Sequence, residues 1–362
     1  MAKQKADPAP LPAHGAAVLP SVEVDNYSLE VEDKDGFIGD KASKGAFLDI
    51  LDKWRKPLKE NDPLSKKPSD EISKKELASM LTQGTATEAA LVHSAIEEFA
   101  GQLANVVSCF LRLKEWRDTE AIVIGGGFQA SRVGQVAVAR CELILKAQGL
   151  KITLGLIHND PDDAGLIGSA HLLPLWMLDG YDAILALDIG GTNIRAGIVR
   201  LNLKKSLDLA NAVVVKREQW RHRDDEPKRD EAVERTVEML KDLMSWTEKE
   251  NLRLAPVVGV GCPGRVQEDG SILRGAQNLP GNWESSRFKL PNSICAHIPM
   301  IGNHDTMVVM HNDAVVQGLS ELPYMKDRRR WGVLTIGTGL GNARFTNRAP
   351  NGKTAKEKPA KD

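Results

Sequence analysis

AILALDIGGTNIRAGIV, residues 183–199, consists of two apolar runs parted by a glycine pair. From Ala183 to Ile189 every position but Asp188 is apolar, the pattern of a strand covered on both faces. Gly190 and Gly191 allow a tight reversal, and Ile194 to Val199 reads as the returning strand. VVVKREQW (213–220) continues as a third strand, so this part of the chain predicts an antiparallel meander that starts on a buried strand.

Toward the C-terminus the period changes. Ala232, Val233, Val237, Leu240, Leu243, Met244 and Trp246 share one helical stripe. The strand APVVGVGCPG (255–264), strand MVVMHND (307–313), helix AVVQGLSELP (314–323) and strand WGVLTIGTGLG (331–341) follow. Toward the N-terminus, Thr85-x-x-Glu88 has the form of a capping box and opens a helix to about Leu113, with Leu91, Ile96, Phe99, Leu103, Val107 and Phe110 on one face. EAIVIGGGF (120–128), the helix VGQVAVARCELILKAQG (133–149) and KITLGLI (151–157) make a strand–helix–strand unit, which predicts parallel pairing. AGLIGSAHLLPLWML (164–178) reads as one further helix, ended or kinked by Pro174. The class is α/β in two lobes.

Composition narrows the function. In 362 residues, 48 basic side chains stand against 49 acidic ones, a net charge of −1, so a nucleic-acid or anionic-membrane surface is not expected. No apolar run is long enough to span a bilayer, and the Pro/Ala-rich start does not resemble a secretory signal. Cys109, Cys141, Cys262 and Cys295 are scattered without a CxxC pair, as in a cytoplasmic protein with reduced thiols. Residues 1–30 and 349–362 are expected as disordered tails, and KPLKENDPLSKKPSD (56–70) as a surface loop.

Four glycine turns end predicted strands: Gly125–Gly127, DIGGT (188–192), GVGCPG (259–264) and IGTGLG (336–341). Each can be an ordinary tight turn. Each can also present backbone N–H groups to phosphate oxygens without side-chain obstruction. Asp188 and Thr192 add a carboxylate and a hydroxyl beside one of them, as a magnesium–phosphate site requires. No GxxxxGK[ST] loop is present. Gly125-x-Gly127-x-x-Ala130 has the dinucleotide fingerprint, but the acidic residue expected about 20 positions on is missing.

These motifs together resemble the ROK family of repressors and sugar kinases, within the hexokinase/actin-like superfamily. AILALDIGGTNIRAGIV resembles its first phosphate motif, GVGCPGRVQEDGSI (259–272) its GxPGxVD segment, AQNLPGNW (276–283) its NLPGW segment, and VLTIGTGLG (333–341) its second phosphate motif. HNDAVVQGLSE (311–321) resembles NDANAAALGE, with Asn312, Asp313, Ala314 and Glu321 in register. The family's later segments come first here. GFIGDKASKGAFLDIL (36–51) is similar to GCLExxASGxAL, EAIVIGGG to the adenosine-site strand, and DAGLIGSAHL (163–172) to the closing helix. The resemblance therefore implies a circularly permuted, two-lobed actin-like (ribonuclease H-like) ATPase fold, with LDGYDA (178–183) joining the old ends. Its implied division is 31–160 and 311–348 in the large lobe and 161–310 in the small lobe. The family's EIGH sugar motif and its zinc cysteines are missing. Phe37 stands at the last zinc cysteine and Gly39 at the glutamate, so no zinc site is expected.

What the resemblance implies is an ATP- and Mg-dependent sugar kinase. Asp313 would be the catalytic base, and Asn312, Gly264 and Asn278 would contact the sugar. Asp188 would orient Mg through water. Gly190, Gly191, Thr192, Gly337, Thr338, Gly339 and Gly341 would hold the phosphates, and Gly125, Gly126 and Gly127 the adenosine. Asn312–Asp313 also has the form of a plain helix N-cap. A homodimer is implied as well. His304, Asp305 and His311 are candidates to replace lost sugar contacts. Arg328–Arg330 reads as a solvated turn, and Trp176, Trp246 and Trp283 as packing residues. The alternative functions are a non-catalytic sugar- or nucleotide-binding pseudokinase and, with SKKELASML (73–81) as its helical hint, a repressor.

Overall fold

The computed structural model describes residues 11–34, 36–64 and 67–348. It contains two five-stranded sheets. The first is built from β1 (Val22–Tyr27), β2 (Ala121–Gly125), β3 (Thr153–Leu156), β9 (Arg330–Ile336) and β10 (Leu340–Asn347), in the order β1-β10-β9-β2-β3. The second is built from β4 (Ala183–Ile189), β5 (Ile194–Arg200), β6 (Val213–Trp220), β7 (Leu254–Cys262) and β8 (Met307–Asn312), in the order β8-β7-β4-β5-β6. In each sheet three neighbouring strands run parallel: β9, β2 and β3 in one, and β8, β7 and β4 in the other. The remaining two strands of each join antiparallel, and the expected β4-β5-β6 meander is one of these pairs of joins.

Side-chain alternation divides the interior into layers. Ile122, Ile124, Leu334 and Ile336 face α1 (Lys44–Arg55), α3 (Ala86–Arg112) and α4 (Arg132–Ala147) on the outside of the first sheet. Trp331, Val333 and Phe345 face the other way, into a core shared with Ile184, Ala186 and Val199 of the second sheet. Two helices lie in that middle layer, α5 (Pro161–Ser169) and α8 (Asp313–Leu319). Leu185, Leu187, Ile194 and Ile198 face α6 (Arg229–Lys249) and α7 (Leu290–His297) beyond the second sheet. The middle layer is thin because its helices carry glycine: a Cβ on Gly168 would fall on the carbonyl oxygen of Val316.

The expected capping box is present, with Thr85 accepting from Glu88 N and Glu88 accepting from Thr85 N. The single helix expected over 164–178 is three pieces. α5 ends at Ser169, a 3-10 turn covers Ala170–Leu172, and a four-residue helix follows Pro174. Leu173 is extended (φ −108°, ψ 139°), the conformation a following proline imposes.

The expected tail over 1–30 is corrected for every described residue in it. From residue 11 the chain is placed, and Val22 and Val24 are buried beside Leu19 as β1 pairs with β10. Composition averaged over the segment hid a two-residue alternation that needs a partner strand to become visible. The remaining stretches expected as tail, 1–10 and 349–362, lie outside the described residues. α2 (Lys74–Gln83), the hint of a DNA-reading unit, leads into α3, whose inner face is packed into the core.

Candidate functional site

The strand register brings the motifs together. Asp188 on β4 pairs with Gly261 on β7, Gly261 pairs with His311 on β8, and Cys262 pairs with Asn312. Asp188, the turn 262–264 and Asn312–Asp313 therefore leave adjacent parallel strands at the same edge. In the first sheet Thr335 pairs with Gly125, so the turns 125–127 and 337–341 also lie side by side. The two edges meet. Thr192 Oγ1 is 3.1 Å from Thr338 Oγ1, and a Cβ on Gly341 would stand 3.1 Å from Ala314 Cβ at the start of α8.

The glycines of this cleft are of two kinds. Gly126 (φ +83°) and Gly264 (φ +94°) need a conformation other residues rarely adopt, and Cβ atoms there would strike Ile336 O and Arg274 O. Gly337 and Gly339 have no such need. A Cβ on Gly339 would meet nothing within 4 Å, and one on Gly337 only Gly339 O at 3.8 Å. Packing does not demand glycine at these two positions, and their bare backbone faces open space.

Asp188 is buried, 2% exposed, in room left by Gly165 and Gly261. Its Oδ2 is 3.4 Å from Arg195 Nη1, and Arg195 Nη2 donates to Asp162 at 2.6 Å. Burial raises the Asp188 carboxyl above its ordinary value, against the opposing pull of Arg195. Asp313 is half-buried at the head of α8, and its Oδ1 accepts from Ala314 N at 2.9 Å. Burial, with the Asp188 charge adding to it, pushes Asp313 up to about 7. Cys262 is buried in the core on the other face of the second sheet, and burial first, with the charges of Asp313 and Asp188 adding to it, pushes its thiol well up, so it stays protonated.

Asn312 is the N-cap of α8: its Oδ1 accepts from Ala314 N at 3.0 Å and Val315 N at 3.3 Å. Its Nδ2 donates to Ser28 Oγ and to Gly264 O, each at 3.0 Å. The amide is fully used within the protein. Asn278 lies against Gly191, where a Cβ would come within 2.8 Å of Asn278 Cβ. Both border a cavity of about 340 Å³ with His222, Arg223, Glu226 and Gln277. His222 Nε2 is 2.8 Å from Gly190 O and braces the turn.

The three candidates for replaced sugar contacts are corrected. His311 is wholly buried, its Nε2 on Ala16 O at 3.1 Å, its Nδ1 accepting from Asn312 N at 2.8 Å and its ring edge-on to Tyr27. Burial lowers it to about 4, so it is neutral. His304 and Asp305 form a ribbon with Met300–Ile301 before β8, whereas Asp313 follows its far end, about 20 Å of strand away. Trp283 packs against Phe288 as expected, but Trp176 is 62% exposed and is not a packing residue.

Sequence reasoning missed Ser28, His222, Arg195 and Lys74. Lys74 Nζ donates to Gly127 O and stands over the turn 125–127. Gln317 Oε1, on α8, has no hydrogen-bond partner among the described residues and would lie 3.5 Å from a Cβ on Gly125. Glu321 is fully buried and holds His158, by Nδ1 at 2.6 Å and by the backbone N at 2.8 Å. The four cysteines are free. Among the described residues no group of three or more His, Cys, Asp or Glu could hold a metal, and no helix is long and apolar enough to cross a membrane.

No protein-family model and no curated protein matches the chain. Solved structures do. A ROK family glucokinase from Streptomyces griseus, in complex with glucose and AMPPNP, is 20% identical over 48% of this chain and 49% of its own, with a TM-score of 0.34. The ROK hexokinase from Thermus thermophilus is 18% identical over 48% and 49%, with a TM-score of 0.29. Both are ROK-family sugar kinases. An exopolyphosphatase from Cytophaga hutchinsonii is 14% identical over 51% and 55%, with a TM-score of 0.24. The chain spans about half the length of the structures it matches.

Proposed function

We propose that the chain is an ATP-dependent sugar kinase of the ROK type, on a circularly permuted, two-lobed actin-like fold. The observation that carries this reading is the meeting of the two phosphate-type turns at Thr192 and Thr338, beside the half-buried Asp313. The open backbone at Gly337 and Gly339 fits a phosphate chain, since among the described residues no side chain occupies the space their own side chains would take.

Phosphoryl transfer needs positioning and charge neutralisation more than covalent help. Asp313 takes the proton of the sugar hydroxyl, which then attacks the γ-phosphate. A carboxyl poised near 7 is close to the optimum for such a base. Backbone N–H groups of 190–192 and 337–341 hold the phosphates, Thr192 and Thr338 add hydroxyl donors, and the turn 125–127 borders the adenosine. Asp188 would hold Mg²⁺ through water, and the ion would supply charge neutralisation on the phosphates. Asn278, beside Gly191 in the cavity of about 340 Å³, faces the sugar.

A second reading, a pseudokinase that binds without turnover, has one observation in its favour: the Asn312 amide is already committed to Ser28 and Gly264. A coupled assay of ADP release over a panel of hexoses and amino sugars separates the two. Sugar-dependent turnover that is lost in Asp313→Asn supports the kinase. ATP binding without turnover on every sugar supports the pseudokinase.

A further inference from the structure

Two helices of the first lobe begin at the glycine turns, and each begins with a lysine. α1 opens at Lys44, whose backbone N donates to Gly337 O at 3.0 Å. α2 opens at Lys74 behind a complete Ser73/Glu76 capping box, and its ammonium donates to Gly127 O. Among the described residues neither lysine takes part in an ion pair of 4.0 Å or less, unlike Lys41, Lys53 and Lys67 on the same lobe. A peptide carbonyl is a weak partner for an ammonium compared with an anion.

The surroundings add positive charge. Lys74 is lowered from its ordinary value by burial first and then by Lys44, with Arg195 acting in the same sense and Asp162 against it. Asp162 is already shared by Arg195 and Arg217. Arg195 comes from the second sheet, and its buried Nε has no partner among the described residues. Lys74 therefore stands over one turn and Lys44 opens the helix whose backbone N–H holds the other, open at Gly337 and Gly339, and Asp162 is held by the two arginines.

We propose that Lys74 and Lys44 bind the polyphosphate chain of the nucleotide, Lys74 leaving Gly127 O for a phosphate oxygen when the ligand enters. This rests on the reading of the cleft as a nucleotide site, and it assigns phosphate recognition to two side chains outside all the glycine motifs. Two ammonium groups select for phosphate number, so ATP binds more tightly than ADP and ADP than adenosine. The term is electrostatic and weakens as salt rises.

The test compares wild type, Lys74→Met, Lys44→Met and the control Lys241→Met on α6 by titration with Mg-ATP, ADP, adenosine and sodium tripolyphosphate. Melting temperatures check that each variant is folded, and Lys74→Arg checks that charge is what matters. The expected result is a loss of about tenfold or more in ATP affinity for Lys74→Met, with less salt dependence, unchanged adenosine binding, an unchanged Lys241→Met and a near-wild-type Lys74→Arg. ATP affinity in Lys74→Met and Lys44→Met equal to wild type overturns the proposal while leaving the nucleotide site in place. Wild type that binds tripolyphosphate through these lysines but no nucleotide supports the cation cluster and overturns the kinase reading. Wild type that binds neither overturns both.

Discussion

Thr192 Oγ1 and Thr338 Oγ1 stand 3.1 Å apart although 146 residues separate them in the chain, and they join the hairpin of one sheet to the hairpin of the other. The contact fixes where the two open strand ends face each other. It also makes a local test possible, because Gly339 and Gly341, which follow Thr338, differ in what the fold asks of them.

Gly339→Ala places a methyl in empty space, whereas Gly341→Ala places one against Thr335 Oγ1 and 3.1 Å from Ala314. Gly339→Ala is expected to melt within about 0.5 kcal/mol of wild type and yet weaken ATP binding severalfold. Gly341→Ala is expected to lose about 1–3 kcal/mol of stability from overpacking. Thermal melts paired with nucleotide titration check both. A destabilised Gly339→Ala, or one that binds ATP unchanged, argues against an open cradle.

The Asp313 carboxyl, raised to about 7, gives opposite signs for catalysis and stability. As the proposed base it must be ionised, so turnover is expected to rise with pH through about 7, and Asp313→Asn to lose at least about 100-fold. For folding, the native state holds this proton more tightly than the unfolded chain. The stability it contributes is full below the ordinary value of 3.8 and is lost as pH rises toward 7. Asp313→Asn escapes that loss. It should match wild type in melting near pH 4 and exceed it at pH 8, by about 1–3 kcal/mol after allowance for partial exposure. Melting curves at the two pH values decide the matter, and an equal difference at both rules out the raised carboxyl.

Asn312 is legible as a cap from its position after MVVMH, whereas a sugar contact there comes only from the family resemblance, and the amide is committed to the cap, Ser28 and Gly264. What the sequence could not carry was the rest of its environment. Ser28 and Gly264, its two acceptors, lie 284 and 48 residues away, and no local pattern links them. The glycine turns, the strands bearing them and the long helix α3 were legible because period and punctuation are local signals. β1, Lys74 and His222 were not. An edge strand shows itself by its partner, and an N1 lysine is an ordinary surface residue until a distant turn folds beneath it.

Replacing Asn312 tests the cap. Asn312→Ala removes two accepted and two donated hydrogen bonds and is expected to cost about 2–4 kcal/mol. Asn312→Asp keeps an acceptor for Ala314 N but offers no N–H to Gly264 O, and it sets a carboxylate against that carbonyl. It should therefore fare no better than alanine, although aspartate is among the best N-caps in isolated helices. Denaturant titration of the two variants gives the comparison, and a stable Asn312→Asp shows that the cap alone matters.

The N-terminal segment offers the sharpest contrast between composition and structure. His14 Nδ1 accepts from Met310 N at 3.2 Å, and Gly15 N donates to Met310 O at 2.9 Å, both at one residue of β8, three positions before the candidate base. Tyr27 OH donates to Val266 O at 3.2 Å, beside the turn that ends β7. β1 pairs with β10 of the first sheet, where Arg344, 7% exposed, holds Asp25 at 2.6 Å. One strap thus fastens both sheets and the floor of the cleft. Removing residues 1–30 would bare the contacts of Leu19, Val22 and Val24, leave β10 paired with β9 alone and take Asp25 from the Arg344 charge, a loss of about 3–5 kcal/mol for the ion pair alone. Such a chain is expected to be insoluble or to lack a cooperative melt. Asp25→Asn, which keeps an acceptor for Arg344, is expected to fold with a lowered melting temperature. A truncated protein that melts like the full chain would show the strap to be dispensable.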